Sequence, residues 1–245
     1  MNKTTIIIPS RLDALRLPNK PLKLINNKEM ILHVYESAKK TNTGEVYVAT
    51  PDQQIIDVIT NNGGKAILTS LDHQTGTDRI YEAFNALQKN ESNIIVNLQG
   101  DMPNIQPQAI TDLISYMYMN KCDIGTLASS FSSETELLDE NNVKVAVKKK
   151  IDKNSFSEAT DFFRSSSMTF DNLYHHVGIY AFTNKALIRY VSLERSKLEL
   201  ERKLEQLRAL ENNMSIHVGY INSSPLSIDT ENDLIKVKKI MEKDE

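Results

Sequence analysis

Short runs of β-branched and apolar residues alternate with longer amphipathic stretches from the start of the chain, and nothing else in the sequence restricts the possible folds so much. The runs at 5–8, 45–49, 66–68 and 94–98 have the length and composition of strands. Those at 30–40, 54–61 and 78–87 repeat their apolar residues at helical spacing. A β-α-β-α-β-α-β order predicts an α/β fold of three layers, a mostly parallel mixed sheet with helices on both faces, Rossmann-like in character. In such a sheet the ligand crevice lies outside the carboxyl ends of the strands. Pro9-Ser10-Arg11 and Gln99-Gly100-Asp101, which follow the first and last of these strands, are therefore the first places to look for chemistry.

Beyond about residue 123 the pattern changes. Strands are expected at 124–131, 143–148, 175–182 and 215–220, and helices at 185–191, 198–210 and 230–241. No Pro- or Gly-rich linker and no repeat separates two halves. The 245 residues thus read as a single domain: a core of about 1–122 plus 215–245, and an inserted cap of about 123–214. Lys148-Lys149-Lys150 reads as a solvated hairpin tip.

Composition narrows the function. No apolar run reaches 18 residues and the first residues lack the marks of a secretory leader, so a cytoplasmic protein without a membrane partner is expected. The lone Cys122 reads as a buried thiol. A net charge of −3 and the absence of Trp argue against a nucleic-acid partner and for a small molecule. Of the 29 basic residues 21 are Lys and only 8 are Arg, so an arginine in a loop marks a place where a bidentate anion contact is needed. Arg11, Arg16 and Arg79 stand in loops or at loop edges. Arg11, Arg16 and Lys20 fall within ten residues, between prolines that restrict the backbone, and suit a polyphosphate although the segment is not a P-loop.

Arg11-x-x-x-x-Arg16-Leu17-Pro18-x-Lys20-Pro21-Leu22 resembles the signature loop of the sugar-activating nucleotidyltransferases, and specifically of the CMP-Kdo synthetase (3-deoxy-manno-octulosonate cytidylyltransferase) family. Leu71-Asp72-His73-Gln74-Thr75-Gly76-Thr77-Asp78-Arg79, Val96-Asn97-Leu98-Gln99-Gly100-Asp101, Asn142-Val143-Lys144-Val145, His176-Val177-Gly178-Ile179-Tyr180, Leu204-Glu205-Gln206-Leu207-Arg208 and Ile228-Asp229-Thr230-x-x-Asp233-Leu234 are similar to further blocks of that family in the same order. The resemblance implies a nucleotide-diphospho-sugar transferase-like fold whose inserted subdomain binds the sugar and dimerises. It also implies an Mg2+-dependent homodimeric enzyme that joins CTP and Kdo for lipopolysaccharide biosynthesis. Arg11, Arg16, Lys20 and Arg79 then hold the nucleotide, and Gln74, Thr75, Gly76 and Gln99 read the cytosine. Asp101 and Asp229 hold Mg2+ and, with Arg11 and Lys20, form the catalytic set. Arg164 takes the sugar carboxylate, and His176, Tyr180, Glu205 and Gln206 contact the sugar.

The residues also admit plainer readings. A carboxylate after Gly100 suits Mg2+, yet Asp229 also reads as the N-cap of a helix starting at Thr230, and 73–76 as a capped helix start. His176 reads as a satisfied strand histidine, Glu205-Gln206 as an exposed helix face, and Ser196-x-x-Glu199 as a capping box. Against the family pattern, Ala14-Leu15 replace Ser-Thr, Asn19 and Ser227 replace Gly, and Met102 replaces Glu. Phe163 replaces Ser, Met168 and Lys197 replace Pro, and Arg202 replaces Glu. Alternatives are transfer to a related acidic or amino sugar or an isoprenoid precursor alcohol, or a catalytically silent nucleotide binder.

Overall fold

Ile6, Ile7 and Ile8 are all fully buried in strand β1 (Thr4–Pro9), as expected of a strand covered on both faces. The computed structural model describes residues 3–13, 16–88, 91–153, 155–165 and 170–242; Ala14, Leu15 and Met168 lie outside them. After β1 come a 3-10 turn at Lys20–Leu22, a hairpin of β2 (Leu24–Ile25) and β3 (Lys28–Glu29), and helix α1 (Met30–Lys40). Strand β4 (Gly44–Thr50), α2 (Gln53–Asn61), β5 (Ala66–Leu68), α3 (Gly76–Ala86), β6 (Ile94–Leu98) and α4 (Pro107–Met119) follow.

The described chain forms two compact units, Met1–Asp112 with Pro225–Glu245, and Leu113–Ser224. In the first, the strand order β5-β4-β1-β6 is entirely parallel, in register from Thr4 opposite both Gly44 and Ile94. Its helices alternate with these strands, as the periodicity predicts.

The second unit contains β7 (Ile124–Ser129), α5 (Glu134–Leu138), β8 (Lys144–Val147), β9 (Phe156–Phe163), β10 (Leu173–Thr183), α6 (Asn184–Ser192), α7 (Lys197–Arg202), α8 (Leu207–Glu211) and β11 (Ile216–Tyr220). Its strands run mostly antiparallel, with β11 parallel to β7 and antiparallel to β9; that double pairing puts β11 in this unit rather than with the core. Lys148, Lys149 and Lys150 are exposed after β8. Cys122 is buried, and burial with the nearby Asp123 charge pushes its thiol up to about 12. The final helix α9 (Glu231–Met241) returns to the first unit.

The single helix expected at 198–210 is instead two, broken where Lys203 adopts a left-handed φ of 55°. The reason is a buried ion pair. Arg208 grips Glu199 with two hydrogen bonds of 2.8 and 2.7 Å, and the two side chains are 3% and 0% exposed. Nine residues of unbroken helix would separate these positions by about 14 Å, so the pair requires the kink. Arg195 also reaches Glu199 at 2.9 Å, and the Ser196 N–H donates to Glu199 Oε2 as the capping-box reading expects.

Candidate active site

The loop after β1 is anchored at both ends. The Ser10 N–H donates to the Ala49 carbonyl, the Leu12 N–H to Asp52 Oδ2 at 2.8 Å, and Leu17, Ile25 and Met30 are buried in a cluster with Ile228, Leu234 and Val237 of the carboxyl-terminal segment. That shared cluster brings Asp229 to the loop. The Ile228 N–H also donates to the Asp101 carbonyl at 3.0 Å, which sets the two aspartates side by side. Asn19, where the family has Gly, takes a left-handed φ of 56° that Asn tolerates, and starts the 3-10 turn carrying Lys20.

The Lys20 ammonium reaches Asp101 Oδ2 at 3.0 Å and Asp229 Oδ1 at 3.2 Å, and Arg16 reaches Asp229 Oδ2 at 3.0 Å. Burial disfavours the charged lysine, but the two carboxylates outweigh it and hold its pKa above the ordinary value. Asp229 is not the cap of α9. Thr230 is, in a capping box with Asp233, so the Asp229 carboxylate is left for the cations.

These groups border a cavity of about 670 Å³ whose wall includes all ten residues expected to meet the nucleotide or metal, Arg11, Arg16, Lys20, Gln74, Thr75, Gly76, Arg79, Gln99, Asp101 and Asp229, together with His73. Thr75 caps α3 by accepting from the Asp78 N–H, and the helix starts at Gly76, two residues before the expected 78. A Cβ on Gly76 would lie 3.3 Å from the Pro9 ring, and one on Gly100 would lie 3.2 Å from the Pro9 carbonyl, so both glycines let the strand ends close up. Gln99 donates from Nε2 to Asn97 Oδ1 at 3.3 Å, and Asn97 in turn to Thr77. Arg79 is buried and donates to Thr69 Oγ1 and the Ser70 carbonyl; burial, then the charge of Arg11, lowers its pKa. Met102, where the family has Glu, is buried in the core and does not line this cavity.

The sugar candidates all lie in the second unit. His176 is buried, and its Nε2 meets Thr126 Oγ1 at 2.9 Å. Burial, followed by the charges of His175 and Arg164, lowers its pKa to about 3, so it is neutral. Its ring lies 5.5 Å from that of Tyr180, whose phenol is pushed well up by burial and by the Glu205 charge. The β10–β7 register shifts between Val177 and Tyr180, the local irregularity from which Tyr180 departs. Gln206 is buried rather than on an exposed face, and Arg164 donates to the carbonyls of Asn141 at 2.6 Å and Glu140 at 3.3 Å. Sequence reasoning passed over Lys144. This fully buried lysine donates to the carbonyls of Asp139, Asn142 and Arg164, and so builds the backbone from which Arg164 projects.

A parallel α/β unit with three cations and two carboxylates at its strand ends defines a nucleotidyltransferase. The model of the family described as cytidylyltransferase matches residues 5–216. The 3-deoxy-manno-octulosonate cytidylyltransferase of Bartonella henselae is 42% identical over 96% of this chain and 97% of its own, and that of Rickettsia bellii 42% identical over 97% and 96%. A solved CMP:2-keto-3-deoxy-manno-octonic acid synthetase complexed with CTP superposes with a TM-score of 0.89 at 35% identity over the whole of both chains. The chain belongs to the cytidylyltransferase family, among its 3-deoxy-manno-octulosonate cytidylyltransferases. No helix of the described residues is long and apolar enough to cross a membrane.

Proposed function

We propose that this protein transfers CMP from CTP to the anomeric hydroxyl of 3-deoxy-D-manno-octulosonate, giving CMP-Kdo and pyrophosphate. The observation that carries the proposal is the facing of the Arg11–Lys20 loop and the Asp101–Asp229 pair across one cavity, in a chain of this family. In the reaction the sugar oxygen bonds to the α-phosphorus, the bond from that phosphorus to the β-phosphate oxygen breaks, and the hydroxyl proton goes to solvent. Arg11, Arg16 and Lys20 bind the triphosphate and stabilise the charge that grows on the leaving pyrophosphate.

The donor set fits Mg2+. Both aspartates already converge on one cation, the Lys20 ammonium, and Mg2+ takes one or two protein carboxylates and completes its shell with phosphate and water. Asp101 and Asp229 would hold it, and when bound it supplies charge neutralisation and acidifies a coordinated hydroxyl. No side chain of the site stands out as a dedicated general base. Gln99 lines the cavity and donates one amide N–H to Asn97, and its carbonyl oxygen is an acceptor suited to the amino group that distinguishes cytosine from uracil. Gln74, Thr75 and Gly76 complete the base site. In the second unit, Arg164 takes the sugar carboxylate, and Tyr180, His176, Glu205 and Gln206 take the hydroxyls.

The test is pyrophosphate release by the purified protein with Mg2+, comparing CTP with UTP, ATP and GTP, with and without Kdo. Release that requires both CTP and Kdo is expected. CTP binding without release would redirect the proposal to another sugar acid or to a silent binder.

A further inference from the structure

Two side chains of α3 grip the loop that borders the nucleotide cavity. Arg79, only 4% exposed, donates through Nη1 to Thr69 Oγ1 at 2.6 Å and to the Ser70 carbonyl at 2.9 Å. Three residues on, and therefore on the same helix face, Glu82 accepts the Ser70 N–H at 3.0 and 3.2 Å and meets Nε2 of His73. Ser70 is thus held at its N–H by an anion and at its carbonyl by a cation. Burial raises the Glu82 pKa, but the hydrogen bonds from His73 and Ser70 outweigh it and hold the group below its ordinary value; it is an ionised acceptor, and His73 Nε2 is the donor.

The anchors matter because the loop has little apolar packing to hold it. Leu68 and Leu71 are 62% and 74% exposed. Thr75 adds the last attachment by capping α3. Between these points His73, Gln74 and Thr75 line the cavity.

We propose that Glu82 is a positioning residue for nucleotide recognition and that His73, which it holds, forms part of the wall touching the bound nucleotide. This rests on the proposed use of the cavity for CTP. Glu82→Gln keeps the size and an acceptor for Ser70 but removes the charge that orients His73, whereas His73→Asn removes the ring and leaves the Ser70 anchor.

Calorimetric titration of CTP into the full chain, without sugar, tests the inference for both variants and their double. A charge-assisted hydrogen bond of this kind translates into roughly tenfold weaker CTP binding for each single variant. The double is expected to lose no more than the weaker single, because both changes break one unit. The KM for Kdo at saturating CTP is expected to stay within about twofold, and the melting temperature within about 3 °C. Unchanged CTP binding in Glu82→Gln, or losses that multiply in the double, would overturn the inference while leaving the function standing. So would weakened binding that only tracks a large fall in melting temperature. Wild-type protein that binds no CTP would overturn the underlying function and this inference with it.

Discussion

The two units use their charged residues in opposite ways. In the first, Lys20, Asp101 and Asp229 pair across a cavity with side-chain exposures of 16, 26 and 42%, open enough to exchange one another for a ligand. In the second, Glu199 and Arg208 are sealed at 0 and 3%, and Lys144 is closed around three backbone carbonyls. The parallel strand ends of the first unit leave charges facing solvent and substrate. The kinked helices and mixed strand pairings of the second need charges to satisfy buried backbone and to lock elements together. The two settings predict opposite phenotypes, one seen in rate and the other in stability.

The largest expected effect is on the sealed side. Glu199→Ala takes the carboxylate away from the buried Arg208 guanidinium and should cost about 3–5 kcal/mol in urea unfolding. A loss below about 1 kcal/mol would remove the contrast between the units. On the open side, Asp101→Asn should lower pyrophosphate release about 10²–10³-fold, a span typical of losing one electrostatic group at a reacting phosphate. Its unfolding midpoint should hardly move, since Lys20 keeps Asp229. Near-normal turnover in that variant would sink the metal assignment, and a collapse in stability would place Asp101 with the structural charges instead.

His176 sharpens the comparison through pH. Its pKa of about 3 lies below the value of about 6.5 expected in the unfolded chain, so the unfolded state binds the proton more readily. Its contribution is fully present above pH 6.5 and is lost as pH falls toward 3, at up to about 1.4 kcal/mol per pH unit within that window. Unfolding from pH 7.5 to 4.5 should show this slope in the wild type, and His176→Gln should flatten it. Equal slopes in both proteins would show that the imidazole is not held neutral by its surroundings.

The same contrast governs how much could be read from the sequence. In the first unit the alternating strands and helices from β1 to β6 answer to a local pattern, while the 3-10 turn and the β2–β3 hairpin are not among the expected elements. The spans of α1, β5 and β6 agree to the residue, and the strand-end rule leads to Arg11, Gln99 and Asp101, all on the cavity wall. In the second, β7, β8, β10, α6 and β11 also lie within two residues of their expected spans, and long-range partners decide the rest. Strand β9 is not legible locally because Glu158 and Asp161 interrupt its apolar residues: Glu158 stays at the surface with Lys148, while Asp161 is held partly buried by Arg202. The break at Lys203 has no Gly or Pro to announce it and follows from a side-chain pair nine positions apart. Helix α4 is a different case: Ile110, Leu113, Ile114 and Met117 carry a helical spacing that local pattern alone suffices to read. His73 belongs to the 71–79 segment that resembles the family, but it is the Glu82 contact that singles it out.

The smallest effect compares one backbone position from each unit. Asn19 and Lys203 both hold left-handed φ values, 56° and 55°. Asn tolerates that region, whereas lysine pays about 1–2 kcal/mol there through its Cβ. Glycine would relieve the strain at either position but would also loosen the unfolded chain, by about 0.4–1 kcal/mol. Lys203→Gly should therefore stabilise by roughly 0.5–1 kcal/mol in urea unfolding, and Asn19→Gly should stay within about 0.5 kcal/mol of zero. Activity separates them further: Asn19 carries the turn that presents Lys20, so loosening it should raise the KM for CTP modestly, while Lys203→Gly leaves that KM alone. A stability loss in Lys203→Gly would mean that the lysine side chain contributes more to the kink than its backbone strain costs.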